Sequence, residues 1–116
     1  MILTQTVFQS IFEHSPDPIF IEDLDGNILN VNQKACSLQG IECDELVGKN
    51  VIDLAPEKDK ELVMQNHKRF CEGTLERLKS TVLNKEGKEI PVEIRANLIN
   101  YFDQVALLLH ISTLEN

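Results

Sequence analysis

Residues 90 to 99 place the tightest limit on the fold. Ile90, Val92, Ile94, Ala96 and Leu98 alternate with Pro91, Glu93, Arg95, Asn97 and Ile99. That period of two belongs to a strand with one buried face, because only an extended chain puts every second side chain on the same side. The strand is expected over Glu89–Asn100. A partner strand, Leu75–Asn84, precedes it across the turn Lys85-Glu86-Gly87-Lys88. A further strand, Gln104–Ser112, follows Tyr101-Phe102-Asp103. This last strand is apolar on both sides, with Val105, Leu107, Leu109 and Ile111 on one and Ala106 and Leu108 on the other. An antiparallel strand of that kind sits centrally in a sheet covered on both faces.

Upstream, Ile19-Phe20-Ile21 and Ile28-Leu29-Asn30-Val31 read as two short strands. Between them Asp23-Leu24-Asp25-Gly26-Asn27 is a turn, since Gly and Asn tolerate the positive φ that tight hairpins need. Asn32 is placed as the N-cap of a helix that runs through Ala35 and Leu38 to Gly40. Phe8, Ile11 and Phe12 fall at helical spacing and predict a helix over Thr4–His14. Gly40 to Pro56 holds short helical pieces, including Asp44-Glu45-Leu46-Val47. Pro56 to Gly73 reads as one amphipathic helix. Helix, two strands, helical middle and three strands make an α+β chain with an antiparallel sheet.

Composition narrows the function. The 116 residues are 42% hydrophobic and 26% charged, enough for one domain with a real core. Eleven Lys and Arg against nineteen Asp and Glu give a net charge of −8, which opposes nucleic acid and anionic lipid. No apolar run approaches the roughly 20 residues of a membrane-spanning helix, and no signal peptide is visible at Met1-Ile2-Leu3-Thr4. The three cysteines, Cys36, Cys43 and Cys71, show no C-x-x-C spacing and fit a reducing, cytoplasmic setting better than a disulfide framework. Cys36 and Cys43 read as structural, and Cys71 as a small buried apolar group. His14, His67 and His110 fall in unrelated elements with no nucleophile motif beside them, and no phosphate loop or metal-ligand spacing occurs. The expectation is a module without catalytic residues or a metal site.

The punctuation in order resembles the Per-Arnt-Sim (PAS) sensory domain. The resemblance is carried by Ile11-Phe12-Glu13-His14-Ser15-Pro16-Asp17-Pro18-Ile19, Asp23-Leu24-Asp25-Gly26, Val31-Asn32, Gly40, Glu45-Leu46-Val47-Gly48-Lys49 and Lys85-Glu86-Gly87. It spans about Val7 to Ser112. It implies a five-stranded antiparallel sheet in the order 2-1-5-4-3 with the helices mainly on one face. It divides residues 1–116 into an N-terminal helical segment (1–16), a PAS core (17–112) and the start of a linker to an output domain (113–116). The family usually ends its last strand in Asp-Ile-Thr, whose Asp and Thr help hold the segment leading to the output domain. Here His110, Ile111 and Ser112 stand there, so the charge is missing.

What the resemblance implies for function is a regulatory input module of a signalling protein, of the histidine kinase or diguanylate cyclase type. It would bind a small ligand, or dimerise, to control an attached output domain. The alternative is an interaction module with a filled core and no ligand. A third reading, a small-molecule enzyme on a similar cone-shaped fold, lacks convergent acid and base residues. The candidate pocket lies between the long helix and the inner sheet face, with Val63, Asn66, His67 and Phe70 on one side and Ile94 or Ala96 opposite. Haem-binding relatives ligate iron through a histidine of this helix at a place matched by Leu62, and the flavin relatives' Asn-Cys-Arg-Phe stretch is replaced by Val51-Ile52-Asp53-Leu54. Both cofactors are therefore disfavoured. Phe8, Ile11 and Phe12 are the candidate homodimer interface, acting with the outer sheet face.

Overall fold

The computed structural model describes residues 2–114, with side chains from Val7 onward; Met1, Glu115 and Asn116 lie outside the described residues, and of the segment 113–116 expected to begin a linker, Thr113 instead ends the last strand. Five strands form one antiparallel sheet: β1 (Ile19–Glu22), β2 (Ile28–Val31), β3 (Arg77–Leu83), β4 (Glu89–Tyr101) and β5 (Gln104–Thr113). Their order is β2-β1-β5-β4-β3, as the sequence led one to expect. β5 lies in the middle, with Phe20 opposite Leu109 on one flank and Ile94 opposite Ile111 on the other. Its two apolar faces explain the position, since each is covered.

The inner face carries the larger core. Phe20, Val92, Leu107, Leu109 and Ile111 pack there against Ala35, Cys36, Leu46 and Phe70 from the helical side. That side comprises α2 (Gln33–Gln39), α3 (Cys43–Leu46) and α4 (Lys60–Glu72). Two short 3₁₀ turns, Val51–Leu54 and Glu57–Asp59, lead into α4. The helix expected from Pro56 therefore starts its α-helical part at Lys60, and Gly73 closes it at φ +77°, a conformation suited to glycine.

The outer face is covered by the chain itself. In α1 (Ile2–Glu13), Phe12 is 5% exposed and packs with Ile21 and Ala106, while Phe8 flanks them beside Leu29, Ile99 and Tyr101. Phe8 and Phe12 stack with ring centroids 5.4 Å apart.

Asn32 ties the two layers together. It is fully buried and caps α2 by accepting from Ala35 N–H at 3.0 Å. Its Oδ1 also accepts from Ile19 N–H, and its Nδ2 donates to the carbonyls of Phe12 and Asp17. One side chain thereby fixes the end of α1, the segment after it, the start of β1 and the start of α2.

One cysteine expectation is corrected. Cys36 and Cys43 form a disulfide with Cα atoms 5.4 Å apart. The cause is local: Gly40, at φ +70°, ends α2 and folds the chain back, so that two cysteines seven residues apart meet. Spacing alone did not reveal it, because the turn makes the contact. Cys71 is free and half-buried.

Candidate functional site

A cavity of about 110 Å³ lies between α4 and the inner sheet face. Val63, Asn66, His67 and Phe70 line it from the helix, and Phe20, Ile94, Leu109 and Ile111 from the sheet. The sequence-predicted pocket residues are thus brought together with one exception. Ala96 is buried in the same core but is not part of the cavity wall.

Two buried polar residues of the wall were missed from the sequence, as were the half-buried Ser80 and Thr81. Glu22, the last residue of β1, is 1% exposed, and Gln39, the last residue of α2, is 4% exposed. The signal for Glu22 was present: alternation along β1 places it on the same face as Phe20, which is inside. Its position just before Asp23-Leu24-Asp25-Gly26 disguises it as turn polarity.

Glu22 makes its main polar contact with His67, whose Nδ1 lies 3.4 Å from Glu22 Oε1. That approach lacks hydrogen-bond alignment, so both carboxyl oxygens are without a hydrogen-bond partner among the described residues, as is Gln39 Oε1. His67 Nε2 sits 3.0 Å from the Leu24 carbonyl, which can only accept, so Nε2 carries a proton and donates it. Burial drives the Glu22 carboxyl above its ordinary range, and His67 pulls it only part of the way back. Glu22 in turn raises His67 against the opposing cost of burial, aided by the Leu24 carbonyl and the charge of Asp23. Cys71 Sγ lies 3.5 Å from His67 Nε2; burial first, then the carboxylates of Glu22, Glu72, Asp23 and Asp25, push its thiol up, which disfavours the thiolate.

The β1–β2 turn that supplies Leu24 is rigidly built. Asp23 accepts from the backbone of Asp25 and Asn27, and Asn50 donates to the Asp25 carbonyl and to Asn27 Oδ1. Burial alone would raise Asp23, but these hydrogen bonds outweigh it and hold the carboxyl below its usual range.

The remaining candidates fall elsewhere. Leu62 is 55% exposed on α4, away from the cavity. Ile11 is 69% exposed on α1, unlike Phe12. On β5, Ile111 faces the cavity while His110 Nε2 lies 3.0 Å from Asp17 Oδ2, so the histidine that replaces the usual acid meets an acid from the α1–β1 segment.

A family model described as the PAS fold matches residues 6–110. The chain belongs to the PAS family. Solved PAS structures superpose over most of its length. That of a protein from Desulfitobacterium hafniense is 21% identical with a TM-score of 0.84, covering 90% of this chain and 99% of the other. The PAS domain of an HTR-like protein from Haloarcula marismortui is 22% identical with a TM-score of 0.80, covering 97% and 93%. A domain of a sensory box sensor histidine kinase/response regulator from Geobacter sulfurreducens is 28% identical with a TM-score of 0.77, covering 94% of each. A search of curated proteins returns no match. Among the described residues of this PAS domain no helix is long and apolar enough to cross a membrane, and no group of His, Cys, Asp and Glu is arranged to hold a metal ion.

Proposed function

We propose that this PAS domain is the sensory input module of a signal-transduction protein, binding a small ligand in the cavity under α4 to control an attached output domain. The observation that carries this reading is a largely apolar cavity holding buried polar groups whose hydrogen bonds are unmade. Binding sites are built that way, whereas a filled structural core leaves few such groups. The sensor histidine kinase parentage of the Geobacter sulfurreducens relative favours a kinase-type output over a cyclase. The catalytic step would then reside in the output domain, and this domain would contribute none.

The route outward runs along β5. Ile111 touches the cavity, and the neighbouring His110 meets Asp17 on the other face. A ligand pressing on Ile111 would shift His110 and Ser112, the residues that precede the linker. Homodimerisation is the second part of the reading. Ile11 and Phe102 are large exposed apolar side chains, and Phe102 lies against Phe8 with centroids 6.4 Å apart. These support pairing of two copies through α1 and the outer face, which is also what a ligand-free interaction module would use.

The test is an NMR titration of the protein with a soluble metabolite pool. Saturable shifts at Phe20–Glu22 and Val63–Phe70 are expected. Shifts confined to α1 and the outer sheet face would overturn the ligand site.

A further inference from the structure

The unmade hydrogen bonds of the cavity say what kind of molecule it takes; this step rests on reading the cavity as a ligand site. The buried polar atoms left without a partner are Glu22 Oε1, Glu22 Oε2 and Gln39 Oε1, and all three are acceptors. A carboxylate offers about four lone-pair sites and, ionised, no donor. His67 approaches one oxygen without hydrogen-bond alignment and spends its other nitrogen on Leu24. No lysine or arginine lines the cavity. The further charge that acts on the pair, Asp23 on the turn, is acidic. The remaining wall is mainly aliphatic and aromatic, with Phe20, Val63, Phe70 and Ile94 prominent.

We propose that the cavity binds a small organic cation, an ammonium or amidinium donor head on an apolar body, with the head on Glu22. Donors on the head complete the acceptors that Glu22 leaves unmade, and the positive charge matches a wall with no competing basic residue beyond His67. An anionic head would bring acceptors to acceptors and add charge of the same sign. Size sets the body. A cavity of about 110 Å³ that opens to solvent on one side is of the order of the enclosed ~150 Å³ cavity that holds benzene, so the body is a single small ring or a short branched chain with part of the ligand left in the opening.

The experiment uses probes that share one ring and differ in the head: benzylamine, benzamidine, benzoate and toluene. Each is titrated at pH 7 against the isotope-labelled protein while the amides of Phe20–Leu24 and Val63–Cys71 are followed. Benzylamine and benzamidine are expected to give saturable shifts there and benzoate none. Glu22→Gln, which keeps the shape and removes the charge, is expected to weaken both cations at least tenfold; Gln39→Leu is a second variant, expected to weaken them less. If benzoate or toluene binds as tightly as the amines, or Glu22→Gln folds and leaves amine binding unchanged, the cation assignment falls while the ligand site stands. If none of the four probes gives saturable shifts at these amides, the ligand site itself falls.

Discussion

Replacing His67 by Ala should open a stability gap whose size depends on pH. The folded chain raises both groups of the pair, Glu22 above its ordinary 4.5 and His67 above its ordinary 6.5. A raised value means that the folded state holds a proton the unfolded state has released, so stability falls as pH rises through that window. The unfolded chain releases its glutamate proton near pH 4.5 and its histidine proton near pH 6.5, so wild-type stability should fall as pH rises above each. Without His67 nothing offsets the burial of Glu22, so the folded variant keeps that proton to a higher pH than wild type does. Over that span each pH unit costs the variant about 1.4 kcal/mol that wild type does not lose, and the gap widens. Asp23 is held low and Cys71 is pushed up, so neither neighbour titrates inside the window. Urea unfolding at pH 4.5, 5.5, 6.5 and 7.5 measures the gap, with Glu22→Gln added to His67→Ala as the control that should flatten the curve. A gap equal at all four pH values, or a slope that survives in the double variant, would refute the coupling of His67 to Glu22.

Asn32→Ala removes four hydrogen bonds from one buried position. A loss of about 3 kcal/mol is expected, with earlier hydrogen exchange at Ile19 and Ala35 than elsewhere in the sheet. Reduction of the Cys36–Cys43 disulfide frees a short loop and should cost about 2 kcal/mol, read as a lower thermal midpoint that the Cys36→Ala, Cys43→Ala chain does not lower further on adding reductant. Sedimentation equilibrium at high micromolar concentration should show a dimer that Ile11→Glu weakens; a monomer unchanged by that substitution would contradict pairing through α1.

Much of the fold was legible because it rests on local signals. Alternation over Ile90–Leu98, the two-faced β5 and the cap at Asn32 each follow from a few adjacent residues; turns and alternation gave the strand count, and the family resemblance supplied the spatial order. What was not legible depends on distant residues meeting. Glu22 looks like the opening of a turn until α4 lays His67 beside it and closes off solvent. Gln39 looks like the polar end of α2 until the cavity forms beside it. The disulfide needed the reversal at Gly40, and the role of Asn32 in holding the end of α1 needed Phe12 and Asp17 to arrive from upstream. The helix phase of α4 did place His67 and Asn66 inward, and it is the partner of His67 that the sequence concealed.

The central claim is that the space under α4 is a ligand site, and native mass spectrometry of the unheated, freshly purified protein tests it most directly. The expected spectrum carries a small non-covalent adduct that heating removes and that is lost in Glu22→Gln. A bare mass with a strong dimer peak, the same in wild type and Glu22→Gln, would contradict the claim and leave the interaction module in its place.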